Sequence, residues 1–159
     1  MITTSTISET MSFREKSAWV CFISTLVVWI PYFAYVIQLF RRGELFAGPI
    51  VVAFVAAVIF QTALGIVAFI AIAIRSREEP KDERDLAIES KAYKNAYFVL
   101  VVCIFAVGWF IIPPALAAGR ETAAQLLSPV AISQMVLFCF VAAEATRFAI
   151  QVVSYWRGS

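Results

Sequence analysis

Residues 75–94 read RSREEPKDERDLAIESKAYK and separate two long apolar halves of the chain. This segment holds 12 of the 24 charged side chains in a sequence of 159 residues. Because so much charge is concentrated there, the flanking halves are left almost wholly apolar. The segment is also the largest polar surface that the sequence offers to a partner.

The flanking halves are hydrophobic enough to lie in lipid. The chain is 62% apolar and 15% charged with a mean hydropathy of +0.84, whereas soluble domains have roughly half apolar and a quarter charged residues. Apolar runs of about 18 or more residues mark membrane-spanning helices. Four such runs occur, at 18–40, 47–74, 95–112 and 130–155. Since backbone groups in lipid must be hydrogen-bonded within the chain, we expect an all-α integral membrane four-helix bundle.

The basic residues near the span ends predict the orientation, because short cytoplasmic loops are rich in Lys and Arg. One side collects nine of them: Arg14, Lys16, Arg75, Arg77, Lys81, Arg84, Lys91, Lys94 and Arg157. The other side collects Arg41, Arg42 and Arg120. Aromatic residues that fit an interfacial belt occur at the more basic side: Trp19, Tyr93, Tyr97, Tyr155 and Trp156. We therefore expect a multi-pass protein of the cytoplasmic (inner) membrane with both termini in the cytoplasm.

The central charged segment has the pattern of a helix start. Pro80 and Asp82 are helix-start residues, and acidic residues follow where the helix dipole favours them. No Gly or Pro interrupts 83–97, so we expect one helix from about 82 to 112 whose first turns project as a stalk. The predicted organisation is an N-terminal segment 1–17, a hairpin 18–74, the charged loop and stalk 75–94, a hairpin 95–156 and a tail 157–159.

The two halves share short sequence features. Residues 15–19 (EKSAW) precede the first span and 89–93 (ESKAY) the third, while Gly48-Pro49 and Ser128-Pro129 open the second and fourth. Because both halves start and finish on one side, a duplication would give two parallel helical-hairpin repeats. The alternative is that interfacial segments draw on the same few residue types.

The fourth span carries a polar stripe. Glu144 and Arg147 lie near its middle, and on a helical wheel they share an arc of about 80° with Ser133, Gln151 and Ser154. A charge at this depth costs about 2.5–3.5 kcal/mol and should face the bundle and find a partner. Three interpretations are open: a structural ion pair between Glu144 and Arg147, a contact with a partner helix or second copy, and a substrate or proton pathway. The small residues of spans two and four further predict a tight seam between those spans.

Several classes of chemistry find no support in the residues. The chain has no histidine, which excludes histidine-ligated haem and a histidine general base. Cys21, Cys103 and Cys139 are isolated, and no phosphate-binding glycine loop or nucleophile motif is present. A net charge of +2 without a basic stripe does not favour nucleic acid. We therefore expect no enzyme activity, no cofactor, no metal and no nucleic-acid partner.

The run that enters the third span resembles a loose group of small four-span prokaryotic membrane proteins of unknown function. Several of them carry an Asp-Glu-Arg…Ile…Lys-Ala pattern at this place, matched here by residues 82–84, Ile88 and Lys91-Ala92. Members often resemble companions of small helix-turn-helix regulators, so the resemblance implies a regulatory role.

Two functions are expected from these features. The first is a non-enzymatic binding or regulatory protein that docks a cytoplasmic protein through its central helix. The candidate docking residues are Asp82, Glu83, Arg84, Asp85, Glu89 and Lys91. The alternative is a small oligomeric transporter that uses the Glu144 stripe. The lipid bilayer is the one partner that the composition requires, and a homo-oligomer is a further candidate assembly.

Overall fold

Long helices make up the chain. The computed structural model describes residues 13–75 and 82–157, so most of the predicted N-terminal segment 1–17, part of the charged loop and most of the tail lie outside the described residues. The helices are α1 (Phe13–Arg42), α2 (Ala47–Arg75), α3 (Glu83–Ala106), α4 (Ile112–Ala117), α5 (Arg120–Leu126) and α6 (Pro129–Trp156). The helix α1, the helix α2, the continuous run Glu83–Ala117 and the helix α6 are each long and apolar enough to cross a membrane. The predicted all-α four-helix bundle of membrane type is confirmed.

The helix starts follow from capping residues in the sequence. Asp82 caps α3: its Oδ1 accepts from the Glu83 backbone N–H at 2.7 Å, and the Asp82 N–H donates to Asp85 Oδ2 at 3.3 Å. Ser128 caps α6 by accepting from the Ala131 N–H at 3.2 Å, with Pro129 in the first turn. Such contacts satisfy N–H groups that the first helical turn leaves unpaired. The predicted start of the third span near residue 82 is therefore confirmed.

A π-helical turn at Val107–Ile111 joins α3 to α4. Here the Ile112 N–H bonds to the Val107 carbonyl, five residues earlier. Pro113 and Pro114 follow, and because proline has no N–H it cannot donate to the α-helical ladder. The wider turn absorbs that loss without ending the helix. The helix predicted to about 112 is thus continuous but contains one register change.

The four spanning helices pack in the order α2, α1, α6, α3, because α1 contacts α2 and α6, and α6 contacts α3. We call the end of the bundle where α1 and α3 begin and α2 and α6 end the basal end. The basal end contains Asp85, which bonds to both Arg14 and Tyr155. α4 and α5 cover the opposite end between α3 and α6.

The predicted tight seam between the second and fourth spans is wrong. The close packing instead joins α3 to α6, where Ala92 is 0% exposed and Ala96, Cys139 and Ala143 are also buried. Small side chains at these positions let the two backbones approach. On α2, by contrast, Gly65 has no heavy atom within 4 Å of the position a Cβ would take. A small residue in a span therefore does not by itself mark a seam.

The packing order is not that of two parallel repeats. Each hairpin packs within itself, and the hairpins meet through α1 and α6. In two parallel repeats, a two-fold axis along the membrane normal would relate α1 to α3 and α2 to α6. The contact between α1 and α6 would then require an equivalent contact between α3 and α2. Those two helices lie at opposite ends of the packing order. Common ancestry of the halves stays a prediction that rests on sequence alone.

Candidate functional site

Glu144 and Arg147 form an ion pair midway along α6. Arg147 Nη2 lies 2.7 Å from Glu144 Oε2, one helical turn apart. Arg147 Nη1 also donates to the hydroxyl of Tyr93 on α3 at 2.7 Å. The guanidinium carbon lies 4.4 Å from the ring centroid of Phe148 and 5.0 Å from that of Tyr93. The arginine is therefore held by a carboxylate, a hydroxyl and two aromatic faces, which favours a packing role for the pair.

The carboxylate of this pair faces a groove between α1, α2 and α6. The Glu144 side chain is 45% exposed, whereas that of Arg147 is 19% exposed. The groove has a volume of about 310 Å³ and is lined by Thr25, Trp29, Phe54, Val58, Gln61, Leu137, Phe140, Val141, Glu144 and Phe148. Gln61 bonds from Nε2 to Ser24 Oγ at 3.3 Å, and its buried Oε1 has no partner in the described chain. The groove thus holds one carboxylate and one unused acceptor among mostly apolar side chains.

The predicted stripe on α6 does not act as one cluster. Ser133 lies near the opposite end, where its hydroxyl donates to the Val130 carbonyl of its own helix at 2.8 Å. Gln151 is half-buried and makes no side-chain hydrogen bond within the described chain. Ser154 lines a different groove, between α3 and α6. Of the stripe, the structure brings together only Glu144 and Arg147.

Asp85 is the centre of a network at the basal end. Its Oδ2 lies 3.1 Å from Arg14 Nε on α1, and its Oδ1 accepts from the Tyr155 hydroxyl on α6 at 3.1 Å. It also takes part in the cap of its own helix. One carboxylate thereby joins three helices, and its side chain is only 18% exposed. The start of α3 is therefore fixed beside α1 and α6, and its projection beyond the bilayer as a stalk stays a prediction.

The predicted docking residues fall into three groups. Asp85 is used inside the bundle, and Glu89 is half-buried and also has an intramolecular partner. Asp82 and Glu83 are exposed at the helix start. Arg84 and Lys91 are exposed and line the groove against α6. The six residues do not form one surface.

The groove between the basal ends of α3 and α6 has a volume of about 730 Å³. Its lining residues are Arg84, Ala87, Ile88, Lys91, Asn95, Ala149, Ile150, Val153, Ser154 and Arg157. Three of them are cationic and none is acidic. We call it the basal groove. Sequence reasoning missed it because Arg157 is 66 residues from Lys91, and only the packing of α3 on α6 brings their charges together.

A third cavity of about 430 Å³ lies toward the opposite end, between α1, α6 and the π-helical turn. Its lining is apolar apart from Gln134, which accepts from the Tyr32 hydroxyl at 2.7 Å. This bond links α1 to α6 and was not predicted. The available signal was a polar residue within each of two apolar runs, Tyr32 in the first span and Gln134 near the start of the fourth, since polar residues in lipid usually bond to a neighbouring helix.

The comparisons with known proteins add no further assignment. No family model matches the chain, and neither a curated protein nor a solved structure is similar to it. Among the described residues, no group of three or more Cys, Asp or Glu side chains is placed to hold a metal ion. The class supported by the fold is a multi-pass membrane protein built on four apolar helices.

Proposed function

We propose that the chain is a non-enzymatic membrane protein that docks a cytoplasmic protein on the basal end of its bundle, with that end and both termini in the cytoplasm. The observation that carries the proposal is the fixed start of α3. Asp85 ties it to Arg14 and Tyr155, so its outer surface is presented in one orientation. A preorganised surface loses less conformational entropy when a partner binds.

The docking face is the side of α3 that points away from the bundle. Glu83, Leu86, Ser90 and Lys94 are all exposed and fall within an arc of about 80° on the helix. Leu86 is 51% exposed in the middle of a charged segment. Glu83 and Lys94 have no side-chain partner within the described chain. Leu86 can supply a small apolar centre of a contact, and Glu83 and Lys94 can supply polar contacts at its rim.

Site-specific photocrosslinking in living cells tests this proposal. A benzophenone amino acid at Ser90 should give a crosslinked product with one other protein, identified by mass spectrometry. The change Leu86→Asp should remove that product, because it introduces a charge into the apolar part of the contact. The matched control is the same crosslinker at Ile74, which is 79% exposed near the end of α2, at the same end of the bundle.

The results separate docking from incidental contact. If Ser90 and Ile74 give the same products, or if Leu86→Asp leaves the Ser90 product unchanged, this face is not a docking site. Asp85 is unsuitable as a docking variant, because its change would disturb the bundle itself. The variants on the docking face leave the Asp85 network in place.

A second candidate function is transport through the Glu144 groove. Its support is the half-exposed carboxylate beside Gln61 in that groove, since intramembrane acids commonly mark proton or substrate paths. The pairing of Glu144 with Arg147 works against a carrier role, because the arginine already occupies one carboxylate oxygen at 2.7 Å. Proton flux in liposomes that is lost in Glu144→Gln and kept in Ser133→Ala would support transport. Absence of flux in the unchanged protein would end this alternative.

A further inference from the structure

The basal groove is amphipathic along its length. Ala149, Ile150 and Val153 form its apolar wall on α6, and Arg84 and Arg157 lie at its basal end. Lys91 lies about 10 Å from Arg84 along α3, at about 1.5 Å per residue. From Arg84 to Asn95 the α3 wall is about 16 Å long, at about 1.5 Å per residue. We propose that this groove binds an anionic phospholipid, with the phosphate among the three cations and an acyl chain along the apolar wall.

Within the described part of the chain, the positive charge of the groove is not neutralised: Arg84, Lys91 and Arg157 form no ion pair there, and no acidic residue lines the groove. Of the acids on α3, Asp85 bonds to Arg14 and Tyr155, and Glu89 has an intramolecular partner. Glu83 lies about 100° around the helix from Arg84 and does not line the groove. Three uncompensated cations around one cavity match a phosphate, which accepts several charge-assisted hydrogen bonds.

The position of the groove selects a lipid over a soluble anion. It lies between two helices that are long and apolar enough to cross a membrane, at the end of the bundle that the proposed function places in the cytoplasm. Its lining residues Ser154 and Arg157 flank the aromatic pair Tyr155-Trp156 in the sequence. Basic grooves between spanning helices at the cytoplasmic side are typical sites for anionic headgroups. An acidic protein segment would pair with the cations but would not cover the apolar wall at Ile150 and Val153. A phospholipid can do both, because it carries a phosphate and acyl chains.

The proposed site is separate from the docking face. Arg84 and Lys91 lie about 100° and 80° around α3 from Glu83, on the side toward α6. Ser90 and Lys94 lie on the outward side. Variants can therefore remove either site while keeping the other.

Native mass spectrometry of the purified protein in mild detergent tests the lipid site. The protein is titrated with a phosphatidylglycerol and, separately, with a phosphatidylcholine of the same acyl chains. The test variant carries Arg84→Gln, Lys91→Gln and Arg157→Gln. The matched control carries Arg41→Gln, Arg42→Gln and Arg120→Gln, three exposed basic residues at the opposite end whose loss changes the net charge equally.

We expect tighter binding of phosphatidylglycerol than of phosphatidylcholine to the unchanged protein. A basic residue beside an anionic lipid contributes about fivefold in affinity, so the triple variant should lose about tenfold to about a hundredfold. The control should lose less than about twofold. The single variant Lys91→Gln keeps Arg84 and Arg157 in the groove, so its affinity for phosphatidylglycerol should fall by about fivefold.

Four results would overturn the proposal. One is equal affinity for the two lipids, which would show that the three cations do not distinguish their headgroups. Another is an equal loss in the opposite-end control, which would reduce the effect to net charge. The third is displacement of phosphatidylglycerol by excess inorganic phosphate alone, which would identify a free-anion site. A protein crosslinked from the Lys91 position in cells would assign the groove to a protein partner instead.

Discussion

Replacing Asp85 by Ala should destabilise the bundle more than any other single change on the charged segment. The substitution removes the carboxylate that bonds to Arg14, to the Tyr155 hydroxyl and to the Asp82 N–H. These contacts join α1, α3 and α6 at the basal end. A helix start that loses them keeps its own backbone bonds but loses its attachment to the rest of the bundle.

The magnitude follows from the three contacts. A hydrogen bond to a charged group contributes about 1.5–3 kcal/mol, and the Tyr155 bond is of this kind. A partly exposed ion pair adds about 0.2–1 kcal/mol, which suits the Arg14 pair at 22% and 18% exposure. With the smaller contribution of the cap, we expect Asp85→Ala to lower the free energy of unfolding by about 3 kcal/mol.

Equilibrium unfolding in mixed detergent and dodecyl sulfate micelles, followed by circular dichroism, measures this loss. Glu83→Ala is the matched control, because Glu83 lies in the same helical turn and is exposed without a side-chain partner. A double-mutant cycle adds Tyr155→Phe. In the unchanged protein Tyr155→Phe should cost about 1.5 kcal/mol or more, and in the Asp85→Ala background it should cost little.

Two results would refute this reasoning. If Asp85→Ala destabilises no more than Glu83→Ala, the network does not hold the helices together. If Tyr155→Phe costs the same in both backgrounds, the hydroxyl is not coupled to the carboxylate.

Three further predictions concern the seam, the ion pair and the orientation. Ala92→Leu should cost about 2 kcal/mol or more, because Ala92 is fully buried between α3 and α6, whereas Ala87→Leu on the exposed side should be nearly neutral in the same unfolding assay. Glu144→Gln should be about 2 kcal/mol less stable than the double variant Glu144→Leu/Arg147→Met, because it leaves the arginine without its carboxylate; equal stabilities would contradict this. A single cysteine at Ala118, in a background without Cys21, Cys103 and Cys139, should react with an impermeant maleimide in intact cells, and labelling only after permeabilisation would reverse the proposed orientation.

The parts of the fold that the sequence predicted are those with local causes. Asp82 and Ser128 cap their helices through bonds to residues one and three positions away, so their neighbours in the chain suffice to recognise them. The apolar runs likewise specify spans one at a time. The π-helical turn was harder to predict. Pro113 and Pro114 show that two backbone hydrogen bonds of the helix will be missing, but a helix can adjust to this by a kink, an end or a wider turn, and packing selects among them.

The sites needed contacts between distant residues. The Glu144–Arg147 pair was predictable because i and i+3 positions share a helix face. Its third member, Tyr93, is 54 residues from Arg147, and Asp85 is 70 residues from Tyr155. Asp85 differs locally from Glu83 only in its place three residues after the cap, where it accepts from the Asp82 N–H; this place does not predict the contacts with Arg14 and Tyr155. Local spacing therefore gave the Glu144–Arg147 pair, whereas the charge of the segment led to Asp85 being predicted as a docking residue, and its side chain is only 18% exposed.

The polarity of each span carries information about helix order that the search for small residues missed. α1 and α6 are the two least hydrophobic spans, and they are the two central helices of the packing order; α2 and α3 are more hydrophobic and lie at its ends. The reason is physical, since a polar side chain within the membrane must reach another helix, and a helix with two neighbours offers more partners. Gln134 reaches Tyr32 on α1, whereas Arg147 reaches Tyr93 on α3. Polar residues that bond to helices on both sides of α6 therefore mark it as central. The same reasoning predicts that a glutamine or arginine placed on the side of α2 away from α1 would have no partner on another helix.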